Sequence, residues 1–89
     1  MEPEFDYDES KSQGNKEKHG LDFKEAQKLW LDGDRLLFPA RSDSEPRWAL
    51  LGLHQGKVWV AFYTLRAETI RLISVRRARD KEKEIYYES

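Results

Sequence analysis

The chain has 89 residues, of which 38% are hydrophobic, 37% are charged and 12% are aromatic. This length favours one domain over residues 1–89, and the aromatic share argues against a fully disordered chain. The absence of cysteine excludes disulfide scaffolds, thiolate zinc sites and cysteine nucleophiles. The N-terminus is acidic and the longest apolar run spans only residues 58–63. We therefore expect a cytoplasmic protein with neither a signal peptide nor a membrane span.

Opposite charges collect in the two halves of the chain. Residues 1–45 hold 7 Lys/Arg against 12 Asp/Glu, whereas residues 46–89 hold 9 against 5. Five arginines and a single acid lie between positions 66 and 79. Because guanidinium groups make bidentate contacts with phosphate and carboxylate, this segment is a candidate anion-binding surface. A solvated basic face that only balances the acidic half explains the same pattern.

The N-terminal segment carries clear helix boundary signals. Residues 1–6 are polar and predict an extended tail. Asp8 is a candidate N-cap for a first helix, because its carboxylate can accept hydrogen bonds from the first amides of the helix. The helix should end at His19, since Gly20 suits the left-handed position that follows a helix.

Two further helices are predicted from their first residues. Asp22 and Glu25 stand three residues apart, as in a capping box, and predict a second helix that ends at residues 32–34. Asp80 is a candidate N-cap for a charged C-terminal helix through residue 86 or 87.

Short apolar runs after the second helix predict four strands. Gln55-Gly56 is a two-residue hairpin connection, and residues 58–63 are apolar on both faces, which is typical of a central, covered strand. Tight connections imply an antiparallel meander, since parallel strands need long crossovers. We therefore expect an α+β fold with two N-terminal helices, a four-stranded antiparallel sheet and a C-terminal helix. The predicted strands span residues 36–40, 47–54, 57–65 and 69–75.

Two spaced motifs together span nearly the whole chain. The first contains Phe5-x-Tyr7-Asp8, Lys11, Asn15 and Lys18-His19-Gly20-Leu21-Asp22-Phe23-x-Glu25-Ala26. The second contains Thr64-x-Arg66, Arg71-Leu72-Ile73-Ser74-Val75-Arg76-Arg77-Ala78, Glu82 or Glu84, and Tyr86. In this order the motifs resemble the BrnT toxin family. Tyr7, Asp22 and Val75 stand where the family commonly has tryptophan, serine and alanine, and each keeps the local role.

The resemblance implies a function that the composition does not show. BrnT proteins are toxins of bacterial type II toxin–antitoxin modules, with a RelE-like arrangement of helices against an antiparallel sheet. The resemblance implies a ribonuclease that inhibits translation and is neutralised by a BrnA-like antitoxin. That antitoxin would contact operator DNA itself, so the toxin would reach DNA only indirectly, and a heterotetramer of the two partners is implied.

RNA can be cleaved without a metal ion when its own 2′-hydroxyl attacks the adjacent phosphate. This reaction needs a proton acceptor, a proton donor for the leaving 5′-oxygen, and positive charge near the transition state. Histidine titrates closest to neutral pH and arginine keeps its charge, so these residue types are the first candidates, with no metal or other cofactor expected. The candidate catalytic residues are His19, Tyr63, Arg66, Arg71 and Arg76, and the candidate RNA-binding residues are Lys18, Arg77, Arg79 and Tyr86.

Most of these candidates also have a structural interpretation. The arginines suit the acidic side chains of an antitoxin as well as RNA. His19 can end a helix by bonding its terminal carbonyls, and Tyr63 and Tyr86 can pack in a core. Arg71 and Arg76 have opposite strand parity, so they share a face only if the strand twists, bulges or ends between them.

Three function classes remain open at this point. The first is a ribonuclease toxin, which the complete set of arginines in the second motif favours. The second is a catalytically weak or inactive binding module that forms a repressor complex with a DNA-binding antitoxin. The third is a small housekeeping RNA-binding domain, for which the acidic first half of the chain is unusual.

Overall fold

The computed structural model describes residues 3–89, in which five strands and three helices follow the order β-α-α-β-β-β-β-α. None of these helices has the length and apolar character needed to cross a membrane. The second helix continues as a 3-10 segment, Gln27–Leu31. The elements are β1 (Glu4–Asp6), α1 (Glu9–His19), α2 (Phe23–Ala26), β2 (Leu36–Ala40), β3 (Arg47–His54), β4 (Lys57–Arg66), β5 (Thr69–Arg77) and α3 (Asp80–Glu88).

The sheet has five strands in the order β1-β5-β4-β3-β2, and it is mixed because β1 runs parallel to β5. The α+β class is confirmed, and the β2–β5 meander is antiparallel as expected. The prediction of a four-stranded sheet is wrong, because Glu4–Asp6, which lies within the predicted extended tail of residues 1–6, adds β1 as a fifth strand. Phe5 pairs with Ile70 and its ring packs edge-on against Trp30, 5.0 Å away, so apolar burial holds this segment on the sheet. Met1 and Glu2 lie outside the described residues.

The predicted boundaries of the first helix are confirmed. Asp8 Oδ1 accepts hydrogen bonds from the amides of Ser10 and Lys11 at 2.9 and 3.1 Å, as expected of an N-cap. These bonds, chiefly the one from the Lys11 amide, hold the pKa of Asp8 below its ordinary value. Gly20 follows the helix with φ of +89°, a left-handed conformation that costs glycine little.

The second helix is shorter than predicted. Asp22 caps it by accepting a hydrogen bond from the Glu25 amide at 2.7 Å, but α-helical geometry ends at Ala26. Ala26 and Leu29 are both fully buried and stand three residues apart, which is the repeat of the 3-10 segment that follows. The Leu29 carbonyl packs against Gly52 of β3, where a Cβ atom would lie only 3.2 Å from that oxygen.

Both faces of the central strand β4 are covered over most of its length, as predicted. We call the side that packs on α1 and α2 the α1 face, where Ala61 and Tyr63 of β4 are buried. We call the opposite side the α3 face, where Val58 and Val60 pack near Tyr86 of α3. The α3 helix is capped by Arg79 rather than by Asp80 and runs to Glu88, so it is longer than predicted by one residue at its start and by one or two at its end.

Asn15 fastens α1 to the edge of β5. Its Nδ2 donates to the Leu21 carbonyl at 2.7 Å, and its Oδ1 accepts from the Val75 amide at 3.1 Å. Ser12, one turn earlier, accepts from the Phe23 amide at 2.9 Å. The two side chains thereby satisfy backbone groups of the β5 edge and of the α1–α2 connection, which are buried there.

Candidate functional site

A β-bulge in β5 brings two of the candidate arginines onto one face. The register between β4 and β5 shifts at Phe62/Tyr63, so Ile73 has no partner on β4. On either side of the bulge Arg71 pairs with Thr64 and Arg76 pairs with Val60. Because both partners occupy even positions of β4, the two arginines lie on the same side of the sheet, the α3 face.

Two further arginines extend this basic surface. Arg66 is two residues after Thr64 on β4, so its side chain lies on the same face as that of Thr64. Trp48 pairs with Tyr63 and faces the α1 side, so the preceding residue, Arg47, faces the α3 side. We call the surface formed by Arg47, Phe62, Arg66, Arg71 and Arg76 the open face, because α3 packs over the other end of this side of the sheet. It is therefore the part of the α3 face that a ligand can approach.

A cavity of about 130 Å³ lies at one end of the open face, between the start of α1 and β5. Arg71 Nη1 lies 2.7 Å from Asp6 Oδ2, and Arg66 Nη2 lies 3.7 Å from Glu45 Oε1. The charged groups that line the cavity are Asp8, Lys11, Glu45, Arg47, Arg66 and Arg71. Four cationic side chains thus line the cavity, and carboxylates neutralise only part of their positive charge, which suits a bound anion.

Arg47 contains a buried polar atom that lacks a partner. Its Nε is fully shielded from solvent and makes no hydrogen bond within residues 3–89. Unpaired buried donors are rare in native structures and cost about 1–3 kcal/mol each, so they mark places where a ligand or water completes the bonding. The Arg47 side chain lines the same cavity as Arg66 and Arg71.

Arg76 is held rigidly at the other end of the open face. Its two terminal nitrogens donate to the two carboxylate oxygens of Glu82 at 2.8 and 2.9 Å, and its guanidinium lies over the Phe62 ring, 5.3 Å from the centroid. The hydrogen bonds raise the pKa of Arg76 and lower that of Glu82 against the opposing effect of burial. The pair fixes α3 to β5 and orients the guanidinium.

The Arg76–Glu82 pair predicts a loss of stability in acid. Because the folded pKa of Glu82 lies below its ordinary value of 4.5, the stabilisation is complete above pH 4.5 and disappears as the pH falls through the folded value. We expect Glu82→Gln to lower the free energy of unfolding by about 2 kcal/mol at pH 7 and to flatten its decline between pH 5 and 3. Urea unfolding at a series of pH values measures both effects.

The exposed Glu84 of the same helix provides the control for this experiment. Glu84→Gln should keep the wild-type stability and the wild-type acid dependence. An acid profile for Glu82→Gln that is as steep as that of the wild type would show that other carboxylates, such as Asp8 or Asp32, carry the effect.

His19 and Lys18 lie away from the cavity. Both stand at the C-terminal end of α1, whereas the cavity is at its N-terminal end. Eight residues separate Lys11 from His19, which is about 12 Å along a helix axis. The imidazole of this candidate catalytic residue therefore does not share a hollow with Arg66 and Arg71. The other histidine, His54, is paired with Glu25 at 3.0 Å and is largely buried.

Tyr63 and Arg77 point to the α1 face rather than to the open face. Tyr63 is 5% exposed and packs edge-on against Trp30 at 5.3 Å, and burial raises the pKa of its phenol. The Arg77 guanidinium lies over the ring of Trp59, 5.6 Å from its centroid. The structure thus separates these two candidates from Arg71 and Arg76 by the thickness of the sheet.

Tyr86 and Arg79 hold α3 in place. The Tyr86 hydroxyl donates to Asp32 Oδ2 at 2.5 Å, and burial, followed by the nearby carboxylate, raises the pKa of this tyrosine. Burial opposes ionisation of Asp32, but hydrogen bonds from Tyr86 and from two backbone amides bring its pKa below the ordinary value. The Arg79 amide donates to Glu82 Oε1 at 2.7 Å. Because the Tyr86 ring is buried and its hydroxyl is bonded to Asp32, both are occupied within the fold.

Sequence reasoning missed four charged members of the cavity as site residues: Asp8, Lys11, Glu45 and Arg47. Lys11 belongs to the first motif, but nothing in its spacing indicates which side of the helix meets β5. Arg47 is the first residue of β3 and lies on the same face as Ala49 and Leu51, because alternate residues of a strand share a face. This alternation was the feature of the sequence that could have identified it. No set of three or more His, Asp and Glu side chains in the described part of the chain is placed to hold a metal ion.

A family model described as the ribonuclease toxin BrnT of type II toxin–antitoxin systems matches residues 7–82. A search of curated proteins found no match. The matched region runs from the residue before the cap of α1 through β5 to the glutamate that pairs with Arg76, so it includes the whole open face. The chain therefore belongs to the BrnT family of type II toxin–antitoxin ribonuclease toxins.

Proposed function

We propose that this toxin is a RelE-like endoribonuclease that cleaves RNA without a metal ion, by attack of the 2′-hydroxyl on the adjacent phosphate. The observation that carries the proposal is the bulge in β5, which puts Arg71 and Arg76 on one face. Arg47 and Arg66 extend that face around a cavity with an unpaired buried donor. Guanidinium groups in this arrangement can stabilise the negative charge of a phosphorane-like transition state.

Proton transfer falls to the groups that line the cavity. Of its two carboxylates, Asp8 already accepts hydrogen bonds as the cap of α1, which leaves Glu45 to take the proton of the 2′-hydroxyl. Lys11, which lines the same cavity, is then the group that protonates the leaving 5′-oxygen. The remaining candidates then have structural roles or make secondary contacts with RNA; they are His19, Tyr63, Lys18, Arg77, Arg79 and Tyr86. The 2′-oxygen bonds to phosphorus as the 5′-oxygen leaves, so the products carry a 2′,3′-cyclic phosphate and a 5′-hydroxyl.

The purified protein should cut single-stranded RNA in the presence of EDTA and yield these two types of end. The same sequence with 2′-O-methyl groups should stay intact, because the nucleophile is blocked. Gel analysis of end-labelled RNA, with Arg71→Ala protein from a parallel purification as the control for contaminating nuclease, measures both. Cleavage that stops in EDTA, or cutting of the 2′-O-methyl strand, contradicts the mechanism.

A type II toxin implies an antitoxin partner. We propose a BrnA-like antitoxin that neutralises the toxin by placing acidic side chains on the open face, in a heterotetramer whose antitoxin half binds operator DNA. Expression of the toxin alone should then inhibit translation and growth, and co-expression should restore both. A folded protein that leaves RNA uncut would instead be the binding module of a repressor complex.

A further inference from the structure

An apolar row crosses the open face between Arg71 on one side and Arg76 on the other. Phe38 of β2 pairs with Ala49, which pairs with Phe62, which pairs with Ser74. These four residues therefore form one row on the α3 face.

Arg47 lies two residues to one side of the apolar row on β3, and Arg71 lies on the same side because its partner Thr64 is two residues from Phe62 on β4. Arg76 lies two residues to the other side, on β5. A two-residue step along a strand is about 7 Å. Along β5, the apolar row thus has a guanidinium group on each side.

The apolar row and the adjoining strand positions form the floor of a groove beside α3. The groove encloses about 310 Å³ and is lined chiefly by Phe38, Ala49, Leu51, Phe62, Arg76 and Ile85. Phe38 is 40% exposed although it is a large apolar residue, so its ring is available to a ligand. Arg76, which covers part of the Phe62 ring, forms one wall.

We propose that this groove binds one unpaired nucleobase of the RNA, stacked on Phe38, while the phosphates on its two sides contact Arg71 and Arg76. This inference rests on the proposed function and adds to it a preference for single-stranded RNA. Each base of a single strand lies between two phosphates, which matches the placement of Arg71 and Arg76 on either side of the apolar row. Aromatic side chains stack on any base, whereas the bases of a duplex are already paired and stacked.

Binding of a short single-stranded 2′-O-methyl RNA tests the proposal, because this probe has bases and phosphates but no attacking hydroxyl. Phe38→Ala should weaken its binding about 5- to 150-fold, the range found when a stacking aromatic residue is removed. Phe38→Leu keeps an apolar side chain, and with it the fold, but should also weaken binding several-fold because the ring is gone.

Leu37→Ala is the matched control for both variants. Leu37 is 54% exposed, adjoins Phe38 on the same edge strand and points to the α1 face, so its replacement should leave RNA affinity unchanged. The double-stranded form of the probe should bind more weakly than the single strand and should not distinguish Phe38→Ala from the wild type.

Two outcomes overturn the inference. The groove does not bind a base if both Phe38 variants bind the single strand as the wild type does. If Phe38→Ala weakens binding but Phe38→Leu does not, the groove makes a general apolar contact, as with a protein segment of an antitoxin. The proposed function fails separately: a wild-type protein that leaves unmodified RNA uncut in EDTA refutes cleavage, even if its binding of the 2′-O-methyl strand depends on Phe38.

Discussion

Replacement of Arg71 by alanine is expected to lower kcat/KM for RNA cleavage by about a hundredfold, the usual effect of removing one donor that stabilises transition-state charge. Arg71 lies between the cavity and the apolar row, and only one of its terminal nitrogens is paired, with Asp6. Its remaining donors can therefore reach a phosphate. Single-turnover cleavage of a labelled RNA measures the loss.

The fold should survive this substitution. The Asp6 carboxylate that loses its partner is 52% exposed, and exposed ion pairs contribute little to stability. Arg71→Lys keeps the charge but not the planar fork, so we expect it to recover only part of the rate. Arg35→Ala, which removes an exposed arginine before β2, serves as the control and should cleave RNA normally. Equal rates for Arg71→Ala and Arg35→Ala would remove Arg71 from the mechanism.

Replacement of Asn15 by alanine is expected to reduce the free energy of unfolding by about 3 kcal/mol. The Asn15 amide is the partner of the Leu21 carbonyl and of the Val75 amide, and the asparagine is only 8% exposed. Each backbone group left unpaired in a buried position costs about 1–3 kcal/mol. Urea unfolding followed by tryptophan fluorescence measures the change as a lower midpoint.

Two other variants test the origin of this effect. Gln13→Ala removes an exposed amide from the same helix and should change stability by less than about 0.5 kcal/mol. Asn15→Asp keeps an acceptor for the Val75 amide but sets a carboxylate against the Leu21 carbonyl, so it should be at least as destabilising as alanine. A loss below about 1 kcal/mol in Asn15→Ala would mean that water replaces the amide.

Elements with local signals were predictable from the sequence. The carboxylate of Asp8, the left-handed Gly20 and the cap at Asp22 act within one helical turn, so their effect does not depend on the rest of the fold. The Gln55-Gly56 turn acts equally locally, with φ of +54° and +75°, and it sets the register of β3 against β4. Alternating apolar residues then define the covered faces of the central strands.

The tertiary structure alone decided which charged residues share a site. Three residues at Glu4–Asp6 carry too little pattern to specify a strand, and β1 forms because Phe5 finds Trp30 and Ile70 at a distance in sequence. The bulge at Ile73 reverses the parity of β5, so that Arg71 and Arg76 share a face. Composition and spacing thus determined that the chain has arginines suited to phosphate and the elements that carry them. Strand register determined which of them meet, because a one-residue shift moves every later side chain to the other face of the sheet.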